Sequence, residues 1–124
     1  MKRLLVADDK LGGRELVRAV LEASGYAVSE AVDGLEALRA ARELRPDLII
    51  LDLNMPGMDG FGVVQELRRD AELAATPVLA LTASAMQGDR ERAMAAGFNG
   101  YISKPLGPRQ LRAEVECLLR QHLA

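Results

Sequence analysis

A chain of 124 residues with 16 Lys and Arg against 18 Asp and Glu fits one domain, here residues 1–124, and is long enough to bury a sizeable core. Hydrophobic residues are 49% of it and aromatics 3%, so that core must be aliphatic. A formal net charge of -2 offers no basic stripe for nucleic acid, no apolar run approaches a membrane span, and the lone Cys117 excludes a disulfide framework or a cysteine metal site.

Met1-Lys2-Arg3 leads directly into the apolar run Leu4-Leu5-Val6-Ala7, which stops at Asp8-Asp9. That run is too short for a signal peptide, so an intact N-terminus and a cytoplasmic protein are expected. In the next stretch Leu16, Val17, Val20 and Leu21 share one helical face, opposite Arg14, Glu15, Arg18 and Glu22. Those charges read as a solvated face. Gly25 is the expected C-cap. Gly12 and Gly13 would each cost about 1 kcal/mol relative to Ala inside this helix, and nothing in the loop before it.

A strand is expected over Ala27–Ala31, then a helix after Asp33-Gly34 that ends before Pro46, with Leu35, Leu38 and Ala41 inward. The run Leu48-Ile49-Ile50-Leu51 ends in Asp52, followed by Leu53-Asn54-Met55-Pro56-Gly57. A third helix runs from about Gly60 to Asp70 with Phe61, Val64 and Leu67 apolar. The strand Val78–Leu81 precedes Thr82, and a fourth helix spans Met86 to Ala96, stopping at Gly97. Tyr101-Ile102-Ser103 forms the last strand, before Lys104-Pro105. The final helix starts near Pro108 and carries Leu111, Val115, Leu118 and Leu119 on one stripe, with Ala113 and Cys117 off it.

Five strands alternating with five helices predict a parallel sheet covered on both faces, an α/β doubly wound fold. Ligands in such sheets sit beyond the carboxyl ends of the strands. There the three carboxylates Asp8, Asp9 and Asp52 meet Thr82 and Lys104. Neighbouring carboxylates cannot all ionise cheaply without a cation. Mg²⁺ suits them, because it takes oxygen ligands, usually one or two carboxylates plus a phosphate. A main-chain carbonyl near Asn54 would add a further ligand. A carboxylate can also attack a phosphoryl group to give an aspartyl-phosphate. Lys104 would then offer a cation, and Thr82 a hydroxyl, to the phosphoryl oxygens.

Ala7-Asp8-Asp9, the stretch Leu51-Asp52-Leu53-Asn54-Met55-Pro56-Gly57-Met58-Asp59-Gly60, Leu81-Thr82-Ala83 and Tyr101-Ile102-Ser103-Lys104-Pro105 together resemble the receiver domain of bacterial two-component response regulators. The resemblance runs from about Lys2 to Leu119. It implies a flavodoxin-like sheet of order 2-1-3-4-5 and a response regulator that takes a phosphoryl group from the histidine of a kinase or phosphotransfer protein. Asp52 is then the phosphoacceptor, Asp9 a direct Mg²⁺ ligand, Asp8 its partner through metal-bound water, and Asn54 the carbonyl donor. Thr82 is the switch hydroxyl, with Ala83 beside it, Tyr101 the aromatic that moves with it, and Lys104 the phosphate partner. The Lys104-Pro105 bond would be cis. The signal would leave through helix four, strand five and helix five. There Ala113 and Cys117, pointing away from the apolar stripe, would form a small outer patch, either a partner or dimer surface or a plain semi-exposed face.

The stretch from Ala83 to Asp89 resembles receivers of the cell-division and phosphorelay type. Lys10 lies near the metal mouth, and His122 reads as a surface residue rather than a phosphoryl donor. No output domain is expected after the last helix, and the chain is expected to be either a stand-alone receiver or one cut from a longer protein. An enzyme reading, a haloacid-dehalogenase-like Mg²⁺ phosphatase, wants a second Asp two residues after the nucleophile, where Asn54 stands. A flavodoxin-like cofactor binder wants a phosphate loop and aromatic flavin contacts, which two Tyr, two Phe and no Trp supply poorly.

Overall fold

Strand β1 (Arg3–Ala7) lies at the centre of the chain's folding logic, because the connections wind away from it in both directions. The computed structural model describes residues 1–83, 88–105 and 107–123, with side chains through residue 121. The elements follow in order: α1 (Leu11–Ala23), β2 (Ala27–Ala31), α2 (Gly34–Leu44), β3 (Leu48–Asp52), α3 (Gly60–Arg69), β4 (Val78–Thr82), α4 (Asp89–Ala96), β5 (Gly100–Ser103) and α5 (Pro108–Leu123). All strand pairs are parallel, in the order β2-β1-β3-β4-β5.

Strand periodicity sorts the core into two layers. Leu4, Val6, Leu48, Ile50, Leu79 and Leu81 pack under α1 and α5 with Val17, Leu21, Leu111, Val115 and Leu118. Leu5, Ala7, Ile49, Leu51, Val78 and Ala80 pack under α2, α3 and α4 with Ala37, Leu38, Val64, Leu67 and Ala93. Every residue of β3 and β4 is buried, as central strands covered on both sides must be. Each Leu or Ile so buried contributes about 1.5–3 kcal/mol.

Several local expectations shift. Leu16 is 49% exposed and Leu35 68% exposed, so neither faces the core. At about 100° per residue, each falls roughly 100° round its helix from the centre of the buried stripe. The α1 stripe is Val17 and Leu21, and the α2 stripe is Gly34, Ala37, Leu38 and Ala41. Ser24 is the C-cap of α1, with Gly25 one residue beyond it at φ 93°. Gly12 and Gly13 lie inside α1, not in the loop before it.

The described part of the fourth helix begins at Asp89, with Gly88 as its N-cap at φ 90°. That left-handed residue cannot sit in a helix interior, so a helix starting at Met86 does not run through it. Residues 84–87, and with them Ser84, Met86 and most of the stretch likened to phosphorelay receivers, lie outside the described residues. So does the side chain of His122. Among the described residues, no helix is long and apolar enough to cross a membrane.

Candidate functional site

The chain leaves β1 toward β2 on one side, and β3 flanks β1 on the other, which opens a crevice at their carboxyl ends. Ala7 is paired with Leu51, so Asp8 and Asp52 are the residues that follow on adjacent strands. Both are almost fully buried, at 1% and 3% exposure, while Asp9 is open to solvent. Asp8, Asp9 and Asp52 each place one carboxylate oxygen within 4.8 Å of the others. A set of oxygens with no thiol or imidazole fits a hard cation such as Mg²⁺.

Lys104 reaches this cluster from the end of β5. Its Nζ donates to Asp52 Oδ2 at 2.8 Å and to Asp8 Oδ2 at 3.1 Å. The second oxygen of each acid accepts from a main-chain amide two residues on. Lys10 N–H donates to Asp8 Oδ1 at 2.9 Å, and Asn54 N–H to Asp52 Oδ1 at 2.8 Å. Burial works against the ammonium of Lys104, but hydrogen bonds and charge from Asp52 and Asp8 outweigh it and raise its pKa above the usual lysine value. The Lys104-Pro105 peptide is cis, and Lys104 N–H donates to the carbonyl of Thr82 at 2.6 Å.

Thr82 is buried at the end of β4, one residue past the Leu81 that pairs with Asp52, and Ala83 beyond it is exposed. Asn54 is exposed two residues after Asp52. Tyr101 sits in β5 opposite Ala80, its ring packed on the layer under α2–α4. Its hydroxyl is buried with no hydrogen-bond partner among the described residues. Burial, then the charge of Asp89, pushes that phenol above its ordinary pKa. Lys10 is exposed and is the N-cap of α1, without a side-chain cap bond. Ala113 and Cys117 are exposed on α5, off its buried stripe.

Arg14 corrects a reading of the sequence: it is mostly buried rather than solvated, while Arg18 is exposed, as its helix face predicts. Arg14, 12% exposed, donates to the carbonyl of Asp8 at 2.9 Å and to Glu30 at 3.2 Å. Arg18 donates to Glu30 at 2.7 Å. The hydrogen bond from Arg18 comes first, then that from Arg14, in holding Glu30 below the usual carboxylate range against its partial burial. This clamp secures the main chain at Asp8, and no linear spacing announces it, because Glu30 lies on the neighbouring strand. Gly60 and Gly34 serve the Asp52 loop similarly. A Cβ at Gly60 would lie 2.8 Å from the Asp52 carbonyl, and one at Gly34 2.3 Å from the Met58 carbonyl.

The family model described as the response regulator receiver domain matches residues 4–116. The chain is 43% identical over 121 residues to the DNA-binding dual master transcriptional regulator RpaA of Synechocystis, covering 98% of this chain and 50% of that protein. It therefore spans about half the length of that relative. It is 45% identical over 105 residues to the polar-differentiation response regulator DivK of Brucella anthropi, covering 85% of both chains. Among solved structures it resembles the receiver domain of the sensor histidine kinase PA1611 from Pseudomonas aeruginosa, which has a magnesium ion coordinated in its active-site cleft. That match has a TM-score of 0.89, 33% identity, and coverage of 96% of this chain and 98% of the other.

Proposed function

The chain belongs to the response regulator receiver domain family of two-component signalling, and we propose that Asp52 is its phosphoacceptor. The family is one of phosphoacceptor signalling domains rather than classical enzymes. The observation that carries the assignment is the bridge from Lys104 to Asp52 and Asp8 at the mouth of the β1–β3 crevice. Asp52 is buried as the last residue of the central strand β3, with one carboxylate oxygen held by the Asn54 amide and the other by Lys104.

In the reaction a carboxylate oxygen of Asp52 attacks the phosphorus of a phosphohistidine on a kinase or phosphotransfer protein. The new P–O bond forms as the P–N bond breaks, and its electron pair stays on the imidazole nitrogen. The Asn54 amide orients the carboxylate, and Lys104 shifts from bridging two acids to neutralising a phosphoryl oxygen. Thr82 supplies a hydroxyl to the same group. Asp8, Asp9 and Asp52, with the carbonyl of Asn54, would hold Mg²⁺, which when bound offsets the charge accumulating on the phosphoryl oxygens. Attack of water on the phosphorus breaks its bond to the Asp52 oxygen, releases inorganic phosphate and returns the carboxylate to its resting state, so the chain acts only on itself.

Signal output is read at α4, β5 and α5. An added dianion acts by biasing an element with two arrangements. The Tyr101 hydroxyl, buried with no hydrogen-bond partner among the described residues, supports that reading, since a buried polar group without a partner favours any arrangement that supplies one. The exposed Ala113 and Cys117 lie on α5 off its buried stripe and would meet a downstream protein or a second copy. Residues 1–124 act as a single receiver domain in this reading. The haloacid-dehalogenase alternative falls with the family assignment, and Asn54 stands where its general acid would be.

The test is incubation with acetyl phosphate and Mg²⁺, followed by intact mass. Wild type is expected to gain one phosphoryl group and Asp52→Ala none. Uptake by Asp52→Ala, or none by wild type, rules the assignment out.

A further inference from the structure

Gly12 and Gly13 stand side by side in the first turn of α1, where glycine is a poorer helix former than alanine. Neither has a positive φ; the glycines that do are Gly25, Gly57, Gly88 and Gly97. The backbone therefore demands glycine at neither place. Space separates the two. A Cβ at position 12 would meet nothing within 4 Å. One at position 13 would lie 2.5 Å from Asp8 Oδ2, 3.4 Å from its Cγ and 3.8 Å from Lys104 Nζ. Ordinary contact begins at 3.4 Å, so the Asp8 oxygen would have to retreat by most of an ångström.

That oxygen has little freedom to retreat. Asp8 is a short side chain, 1% exposed, with Oδ1 tied to the Lys10 amide and Oδ2 to Lys104. Its main-chain carbonyl is also held, by Arg14 one residue along α1. Moving the carboxylate off α1 thus disturbs its place beside both Lys104 and the other two acids.

We propose that Gly13 is a positioning residue of the acidic site: the notch it leaves on α1 receives Oδ2 of Asp8 and sets that carboxylate beside Lys104 and Asp52. The inference rests on the reading of Asp8, Asp9 and Asp52 as the Mg²⁺ site. Gly12, with open space around it, is the built-in control. Both substitutions to alanine favour the helix, but only the one at position 13 strikes the site.

The experiment compares wild type, Gly12→Ala and Gly13→Ala in Mg²⁺ titrations by calorimetry at one pH, without any phosphoryl donor. Gly13→Ala is expected to raise the dissociation constant about tenfold, the size typical of lost support to a metal ligand, and Gly12→Ala to leave it within about twofold. A second, metal-free measurement takes the urea midpoints of Gly13→Ala in wild-type and Asp8→Ala backgrounds. The methyl is expected to lower the midpoint when Asp8 is present and to raise it when Asp8 is gone. Equal Mg²⁺ affinity in all three proteins, or the same effect of Gly13→Ala in both backgrounds, overturns the role of Gly13 and leaves the function reading intact. Failure of wild type to bind Mg²⁺ overturns the reading of the site, and this inference with it.

Discussion

The ammonium of Lys104 stands 2.8 Å from Oδ2 of Asp52, although 52 residues of chain separate them. A second carboxylate, Asp8, shares the same donor at 3.1 Å. One cation thus serves two buried acids. Lys104→Met should leave both acids without their counter-charge and destabilise the metal-free protein by about 2 kcal/mol, less than the 3–5 of a fully buried pair because the lysine side chain is 21% exposed. Urea unfolding with and without Mg²⁺ checks this, and the ion is expected to restore much of the loss.

Alkaline pH should weaken the same contact. The raised pKa of Lys104 means its stabilisation is complete below the unfolded value of 10.5 and is lost as pH rises through the higher folded value. A stability profile above pH 10 is expected to fall more steeply in wild type than in Lys104→Met. Parallel profiles would show that the lysine gains nothing from its two partners.

Glu30 acts at the other end of the scale. Its pKa is lowered, first by the hydrogen bond from Arg18 and then by that from Arg14, so its contribution is present above the usual carboxylate value of 4.5 and fades as pH falls through the lower folded value. Glu30→Gln should flatten the acid limb of the stability curve. Because Arg14 also holds the Asp8 carbonyl, amide exchange at Asp8 should quicken in that variant.

Arg68 spends all its N–H groups on neutral acceptors. It donates to the carbonyls of Gly97, Ala74 and Thr76 and to Asn99 Oδ1, and Asn99 Oδ1 also accepts from Val78 N–H. Burial lowers its pKa. Arg68→Met is expected to cost about 2–3 kcal/mol, a few modest hydrogen bonds less the relief of desolvation. Hydrogen exchange should rise at Gly97–Asn99, where α4 ends, ahead of the rest of the sheet.

Tyr101→Phe removes a hydroxyl that is buried with no hydrogen-bond partner among the described residues. It should leave stability unchanged or raise it by about 1 kcal/mol, since no bond is lost and a desolvated polar group is removed. Thermal melting of the unphosphorylated protein decides it. A loss above about 1 kcal/mol would mean the hydroxyl has a partner in solution. The wild-type phenol should titrate above 10.0 by ultraviolet absorbance.

Much of the architecture was legible in one dimension. Apolar runs ending in acids, helical stripes between them, and glycine or proline at the breaks predict the alternation of strands and helices that the fold has. The errors are local and share a cause. Leu16 and Leu35 look like core residues because hydropathy records composition, while burial depends on how far a neighbouring helix reaches round the stripe. Arg14 looks like a surface charge because its acceptors, Glu30 and the Asp8 carbonyl, lie on other elements.

By itself the amino-acid order determined which groups end each strand, and therefore that acids, a hydroxyl and a lysine would gather at one sheet edge. The periods of 2 and 3.6 that carry this information are local, and burial enforces them. Only the folded chain decided that Lys104 bridges Asp8 and Asp52 rather than facing water, that Gly13 lies against the Asp8 carboxylate, and that Arg68 ties α3 to the end of α4. Those contacts join residues 29 to 96 positions apart, or depend on a missing methyl group. Strand order and close packing set them, and neither leaves a periodic trace in the sequence.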